Sequence, residues 1–379
     1  MTLQGLSYNE QKPIVIHFDD SIETIEPSRE HIKDFFIGPG LVDLQVNGYG
    51  GSDYNQLYDD PAQLRKITYQ LFAEGVTTHL PTIITNSANN IKLLIRQVIE
   101  LRKNDEYLKS SVEGLHIEGP FISPDDGPRG AHPKEHVRSP DFDLILQWQD
   151  AAEGLIKIVT LSPEWENSNS FIERCIKHNI IVSIGHTRAT HQQIEDAIKA
   201  GATLSTHLGN GMHPNIVRHP NYLWSQLAND NLTPSIIADG FHLPVEVIKV
   251  FLKTKGEKIF LVSDCVSLAG MPPGDYDLHI GGQVTLTSEG KLHLRGNPNI
   301  FAGSASNLRS GVSFLVINKL MDLAGAWAMA SVRPYQILHP TSSIFKSGAK
   351  ADLIQFGVNQ NQIEVKKTFK RGKLVFSRD

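Results

Sequence analysis

The sequence has little cysteine and no long hydrophobic run, and these features argue against a disulfide-rich protein and a membrane-spanning protein. Only Cys175 and Cys265 occur among 379 residues, which argues against a disulfide framework and favours a reducing compartment. No segment approaches the ~18 consecutive apolar residues of a membrane-spanning helix. The first residues also lack the charged and apolar regions of a secretory signal. We therefore expect a cytoplasmic protein that does not act on a membrane.

The sequence also lacks an excess of basic residues. Its formal net charge is -5 at pH 7, and it contains no basic run or basic patch interleaved with aromatic residues. Both facts argue against nucleic acid as a partner and favour a small molecule. With 40% hydrophobic and 20% charged residues, the chain can bury a large core. Its length allows one large domain with an appendage, or two to three ordinary domains.

From residue 39 onwards, strand-like and helix-like segments alternate. Eight short apolar segments are typical of buried strands: residues 41–46, 75–78, 112–117, 156–161, 180–186, 202–207, 234–238 and 258–263. Apolar residues at helical spacing predict helices at 61–74, 86–102, 141–151, 168–178, 190–200 and 244–253. This order predicts an α/β fold with a (β/α)8 TIM-like barrel. A doubly wound open sheet is the alternative, but no Gly-x-Gly-x-x-Gly follows the first strand.

Segments with strand and turn patterns flank this alternation at both ends of the chain. They predict a small β-sandwich domain formed by residues 1–38 and 345–379, beside a catalytic barrel domain that spans residues 39–344. Within the barrel domain, residues 275–302 are typical of an insertion rich in hairpins. Residues 307–323 and 333–338 are predicted to be helical.

Two of the predicted strands end in histidine. Residues 180–186 end at His186, and about twenty residues later residues 202–207 end at His207. The segment between them has helical spacing and is followed by Gly201, which suits a helix C-terminus. Because parallel strands end at the same rim of a barrel, we expect the two imidazoles to lie close together.

Polar residues also follow the other predicted strands. They are Gln45, Asn47, His116, Glu118, Asp239, His242 and Asp264. Two imidazoles and a carboxylate can hold a catalytic zinc ion with an open position for water, and a further carboxylate can serve as the general base. A single histidine at a strand end is more often a hydrogen-bonded structural residue. Glu118 and Asp264 follow buried strands, where an unpaired carboxylate is costly.

Seven short motifs identify a family resemblance. They occur in order, at residues 39–48 (PGLVDLQVNG), 114–121 (GLHIEGPF), 185–187 (GHT), 206–212 (THLGNGM), 237–242 (IADGFH), 262–264 (VSD) and 302–304 (AGS). With the closing segment 347–353 (SGAKADL), they resemble the N-acetylglucosamine-6-phosphate deacetylases of the amidohydrolase superfamily. The resemblance implies hydrolysis of N-acetyl-D-glucosamine 6-phosphate to D-glucosamine 6-phosphate and acetate, a step of amino-sugar catabolism.

The resemblance also implies roles for individual residues. It implies one divalent metal ion per subunit on Glu118, His186 and His207, with Asp264 as the catalytic acid and base. Zinc is the expected ion, although other divalent ions suit such a site. The implied substrate contacts are Ala131, His132, Asn210, Gly211, Arg218, His242, Phe301, Ala302 and Gly303. In the family the arginine matching Arg218 reaches the sugar phosphate across a dimer interface, which implies a homodimer.

One departure from the wider superfamily limits the metal content. Many amidohydrolases carry His-x-His after the first strand to hold a second ion, whereas this chain has Gln45 and Asn47 there. We therefore expect a single ion. The alternative activity is deacetylation of N-acetylgalactosamine 6-phosphate or another N-acyl substrate. A non-catalytic barrel is the alternative of a different class, but such a protein should have lost a ligand or the acid.

Overall fold

The computed structural model describes residues 1–30, 35–57, 59–278, 282–360 and 362–378. The chain begins with four short strands: β1 (Thr2–Ser7), β2 (Pro13–Phe18), β3 (Ile22–Pro27) and β4 (Phe36–Pro39). Every second residue of β1 and β2 is buried, as in strands that cover a core with one face.

A barrel of parallel strands follows, with a small hairpin after its first strand. In chain order the strands are β5 (Leu41–Val46), the hairpin strands β6 (Gly48–Tyr49) and β7 (Ser52–Asp53), then β8 (Val76–Ile84), β9 (Leu115–Glu118), β10 (Ile156–Leu161), β11 (Ile181–Ile184), β12 (Leu204–Ser205), β13 (Thr233–Ile236) and β14 (Phe260–Leu261). The eight barrel strands are hydrogen-bonded in sequence order. The ring closes where Asp264 N donates to the Gln45 carbonyl at 3.0 Å and Val46 pairs with Cys265. The predicted (β/α)8 barrel is therefore confirmed.

Helices connect these strands. They are α1 (Gln63–Ala73), α2 (Ala88–Lys103), α3 (Glu106–Ser111), α4 (Phe142–Ala151), α5 (Ser168–Lys177), α6 (His191–Ala200), α7 (Tyr222–Ala228) and α8 (Val245–Lys255). The sequence did not predict α3 and α7, because helices of six and seven residues are too short to show apolar periodicity. Within the described residues, no helix is both long and apolar enough to cross a membrane.

A four-stranded antiparallel sheet follows the barrel strands, as predicted for residues 275–302. Its strands are β15 (Gly274–Leu278), β16 (Gly282–Leu286), β17 (Leu292–Leu294) and β18 (Asn297–Phe301). The turn between β15 and β16 lies outside the described residues. Leu278 and Phe301 bring this sheet to the rim of the barrel, where both line the central cavity.

Three helices complete the barrel domain: α9 (Leu308–Ile317), α10 (Leu323–Met329) and α11 (Val332–Leu338). The prediction of a single helix over residues 307–323 is wrong. The helix ends at Ile317, and the chain then reverses through Lys319, whose backbone φ is 54°. Asp322 caps the next helix by accepting a hydrogen bond from Gly325 N. The apolar residues after Ile317 therefore belong to a turn and a second helix.

The C-terminal strands β19 (Leu353–Asn359), β20 (Gln362–Lys370) and β21 (Lys373–Ser377) join the first four strands. They form one seven-stranded sheet in the order β21-β20-β19-β4-β1-β2-β3. Three strands separate β2 from β20, which would place them about 19 Å apart in a flat sheet. Yet the rings of Phe18 and Phe369 lie 5.3 Å apart. The sheet thus folds over itself, in agreement with the predicted β-sandwich, while the predicted domain boundaries stay a prediction.

A buried ion pair connects this sheet to the barrel. Lys370 Nζ lies 2.7 Å from Asp352 Oδ2 and 3.3 Å from Thr78 Oγ1 on β8. The side chains of Lys370 and Asp352 are 1% and 6% exposed. Since an unpaired charge at this depth is strongly unfavourable, the pair holds the terminal sheet against the barrel in one orientation.

Candidate active site

Four polar side chains gather at the C-terminal rim of the barrel. Glu118 ends β9, His186 and His207 follow β11 and β12 by two residues, and Asp264 follows β14 by three. The backbone φ angles of His186, His207 and Asp264 are 49°, 30° and 48°. Such left-handed conformations cost about 1–3 kcal/mol each and concentrate at functional sites. The chain therefore turns sharply at His186, His207 and Asp264, and these side chains line one cavity together with Glu118.

Glu118, His186 and His207 form a tight triangle of potential ligand atoms. The Nε2 atoms of His186 and His207 lie 3.2 Å and 3.0 Å from Glu118 Oε1 and 3.2 Å from each other. Ligands about 2.0 Å from one tetrahedral zinc ion are separated by about 3.3 Å. All three side chains are less than a tenth exposed. The spacing and the donor types therefore fit a single divalent cation.

A backbone carbonyl group fixes the tautomer of His186. Its Nδ1 donates to the carbonyl oxygen of Pro128 at 2.8 Å, which leaves a lone pair on Nε2 for a cation. Gly211 packs against the same ring, and a Cβ at that position would lie 2.7 Å from His186 Nδ1. A side chain at residue 211 would therefore displace the imidazole.

Electrostatics keep Glu118 ionised. Burial alone would raise the pKa of its carboxyl, but the adjacent imidazoles of His186 and His207 outweigh burial and hold the pKa well below its usual value. Its neighbour His116 has a different role. Its ring nitrogens lie 3.0 Å from the Leu44 carbonyl oxygen and 2.8 Å from Thr160 Oγ1, and burial lowers its pKa to about 4. His116 is therefore a neutral structural residue.

Asp264 lies beside this triangle and is held by two amides. Gln45 Nε2 donates to Asp264 Oδ1 at 3.0 Å and to Glu118 Oε1 at 2.9 Å. Asn47 Nδ2 donates to the same Asp264 oxygen at 2.8 Å. Burial, reinforced by the charge of Glu118, raises the pKa of Asp264 to about 6. The amide of Gln45 thus bridges the two carboxylates by donating to both.

A cavity of about 240 Å³ opens onto these groups. Its lining includes every predicted site residue except Arg218: Glu118, Ala131, His132, His186, His207, Asn210, Gly211, His242, Asp264, Phe301, Ala302 and Gly303. The sequence did not predict the further lining residues Asp53, Asn55, Ile84 and Leu278. Asp53 ends the hairpin after β5 and Asn55 lies in the short 3-10 turn that follows it; the glycines at 48, 50 and 51 were a signal of a tight turn near the first strand end.

His132 enters the cavity from the loop after β9. Its Nδ1 lies 2.8 Å from Thr85 Oγ1, and its ring meets the His186 ring edge to face at a centroid distance of 4.5 Å. Burial, with a smaller contribution from His186, lowers the pKa of His132 to about 3. A neutral imidazole in this position can donate a hydrogen bond to a bound polar molecule.

His242 forms the opposite side of the cavity. Its Nδ1 lies 2.6 Å from Asp239 Oδ2, and its ring packs 5.0 Å from that of Phe301. Burial would raise the pKa of Asp239, but the hydrogen bond and charge of His242 outweigh it and lower the pKa. The Asp239 carboxylate thereby fixes the orientation of the His242 ring in the cavity wall.

Arg218 lies outside the cavity of its own chain. It belongs to an exposed loop, and its backbone carbonyl accepts a hydrogen bond from Asn221 Nδ2 at 3.3 Å. Val217 beside it is 70% exposed, and Trp224 on α7 is 46% exposed. Arg218 is therefore the one predicted site residue that does not line the cavity of its own chain.

Comparison with known proteins gives consistent matches along most of the chain. Residues 36–375 match the Amidohydrolase family. The chain is 32% identical to N-acetylglucosamine-6-phosphate deacetylase of Bacillus subtilis over 361 residues, which cover 93% of this chain and 88% of the relative. It is 29% identical to the human protein of the same name over 354 residues, or 90% and 84% of the two chains.

Solved structures match the whole fold. N-acetylglucosamine-6-phosphate deacetylase from Thermotoga maritima superimposes with a TM-score of 0.86 and 26% identity, covering all of both chains. A mutant of the Mycobacterium smegmatis deacetylase in complex with N-acetyl-D-glucosamine-6-phosphate has a TM-score of 0.88 at 24% identity, covering 100% of this chain and 99% of the other. The second match is evidence for the fold alone.

Proposed function

Because this chain belongs to the amidohydrolase family, we propose that it removes the acetyl group from N-acetyl-D-glucosamine 6-phosphate, giving D-glucosamine 6-phosphate and acetate. The observation that carries this proposal is the ligand triangle of Glu118, His186 and His207 beside the buried Asp264. The Bacillus subtilis relative, named for this activity, supports the choice of substrate. The family resemblance drawn from the seven motifs is confirmed by the same matches.

The three triangle residues would hold one divalent ion. Their nitrogen and oxygen donors are the usual ligands of catalytic zinc, which keeps a further position open for water. When bound, the ion supplies Lewis-acid polarisation of the acetyl carbonyl and increases the acidity of the attacking water. Zinc is the proposed ion, and metal availability decides among the divalent ions that such ligands accept.

Asp264 moves the proton in this proposal. Its carboxylate accepts a proton as water attacks the amide carbon, and then donates that proton to the departing amine of the sugar. The amides of Gln45 and Asn47 both hold Asp264 Oδ1, which leaves the other oxygen of the carboxylate for the transfer. His132 donates a hydrogen bond to the carbonyl oxygen or to a sugar hydroxyl.

The rest of the cavity would position the sugar phosphate. Ala131, Asn210 and Gly211 line one side of the cavity, and the segment 301–303 lines another. His242 would bind the phosphate from within the same chain. Arg218 would bind it from the second subunit of a homodimer, because a guanidinium pairs two N–H groups with phosphate oxygens. The proposal therefore includes a homodimer. We also propose a cytoplasmic location, which the low cysteine content favours.

Acetate release from three substrates tests this function. The metal-loaded protein should hydrolyse N-acetylglucosamine 6-phosphate with a kcat/KM at least tenfold above that for unphosphorylated N-acetylglucosamine and for N-acetylgalactosamine 6-phosphate. Equal values for the phosphorylated and unphosphorylated sugars would refute phosphate recognition. A preference for the galactosamine compound would instead assign the alternative substrate.

A further inference from the structure

Glu164 is a largely buried carboxylate outside the cavity lining. It follows β10 by three residues, and its side chain is 9% exposed. Its Oε1 accepts from Ser123 Oγ at 3.0 Å and from Arg188 Nε at 3.2 Å. Its Oε2 accepts from Ser162 Oγ at 2.7 Å and from Arg188 N at 3.0 Å. Both carboxylate oxygens are thus fully used inside the protein.

These donors come from three different strand-end loops. Ser123 follows β9, Ser162 follows β10, and Arg188 follows β11. Arg188 also lies 3.0 Å from Asp125 Oδ2 in the loop after β9, so its guanidinium contacts both acids. Through these hydrogen bonds, Glu164 joins the three loops at one point.

The loop after β9 carries the groups that orient His186. Ser123 N donates to the His186 carbonyl oxygen at 2.9 Å, and the Pro128 carbonyl accepts from His186 Nδ1 at 2.8 Å. The same loop carries His132, whose ring packs against the His186 ring. The position of this loop therefore determines both the direction of the His186 lone pair and the place of His132 in the cavity.

We propose that Glu164 is a positioning residue that fixes the loop after β9 against the His186 segment and thereby presets the metal site and the substrate pocket. Glu164 does not touch the cavity and acts through Ser123 and Arg188. The inference rests on the proposed function for its effect on substrate. Its effect on the metal site does not depend on the substrate, because Glu164 acts on residues that orient the ligand His186. Loss of a residue that orients a metal ligand typically weakens metal binding 10- to 100-fold.

Glu164→Gln tests this proposal in the full-length protein, with Glu166→Gln as the matched control, since Glu166 is exposed two residues further along. The zinc dissociation constant is measured by chelator competition without substrate, and kcat and KM are measured at saturating zinc. We expect Glu164→Gln to raise the zinc dissociation constant about 10- to 100-fold and to raise KM more than it lowers kcat. Glu166→Gln should match the wild type.

A second variant covers the case in which Glu164→Gln does not fold. Ser123→Ala removes one of the four donors and should raise the zinc dissociation constant less than Glu164→Gln, by about tenfold at most, the lower end of the same range. A lower melting temperature with unchanged zinc affinity and unchanged KM would reduce Glu164 to a structural residue and overturn the proposal. Zinc binding is read without substrate, so a wild type that binds zinc but releases no acetate would refute the proposed function alone.

Discussion

Replacing Asp264 by asparagine separates proton transfer from the rest of the site. Asp264 Oδ1 accepts from Gln45 Nε2 at 3.0 Å and from Asn47 Nδ2 at 2.8 Å. The amide oxygen of an asparagine can keep both hydrogen bonds in the same volume. The substitution therefore removes the group that accepts the proton and leaves the shape of the cavity unchanged.

The expected loss follows from the two transfers assigned to this carboxylate. A positioned general acid or base typically contributes 10²- to 10⁴-fold to a rate. Asp264 serves both as base for water and as acid for the amine, so Asp264→Asn should lower kcat about 10³- to 10⁴-fold, or about 4–5 kcal/mol of barrier. KM should change little. Zinc content should also persist, because the ligand triangle consists of Glu118, His186 and His207.

Acetate release and metal content, measured on the same preparation, check this prediction. Asp230→Asn, at an exposed position, is the matched control and should behave as the wild type. Near-normal turnover by Asp264→Asn with one zinc ion still bound would refute the acid-base assignment. Loss of zinc together with turnover would show that Asp264 also supports the metal.

Two further predictions concern phosphate binding and stability. Arg218→Ala should lower kcat/KM for N-acetylglucosamine 6-phosphate about 10- to 100-fold, which corresponds to the loss of a charge-assisted hydrogen bond. The kcat/KM for the unphosphorylated sugar should not change. An equal loss for both sugars would exclude a phosphate contact. Burial raises the pKa of Asp43 to about 7, so the folded state is favoured below the unfolded-state pKa of about 3.9 and loses this advantage as the pH rises through about 7. The free energy of unfolding measured in urea should therefore fall by ~3 kcal/mol more from pH 5 to pH 8 than it does for Asp43→Asn. Parallel pH profiles of the two proteins would contradict the raised pKa of Asp43.

The positions of the polar side chains could be predicted from the sequence because they depend on local pattern. Strand ends can be read from apolar runs, and parallel strands bring their C-terminal ends to one rim. That reasoning placed Glu118, His186, His207 and Asp264 together, and the structure has them around one cavity. The small β-sandwich could be predicted for a similar reason, since alternation marks its strands.

The connections between these side chains could not be predicted, because they depend on contacts distant in sequence. Gln45 bridges Glu118 and Asp264, which lie 73 and 219 residues further along the chain. The Pro128 carbonyl that orients His186 is a backbone atom without a sequence signal. The split of residues 307–323 into two helices depends on the turn at Lys319. Short connecting segments and backbone contacts are thus visible only in the folded chain.

The proposed activity requires one ion on Glu118, His186 and His207. Metal-free protein is titrated with zinc while acetate release from N-acetylglucosamine 6-phosphate is followed. Activity should rise linearly and reach its maximum at one zinc ion per chain, and His207→Ala should remain inactive at the same zinc concentration. Full activity without added metal, or a maximum reached only at two ions per chain, would contradict a single-ion site.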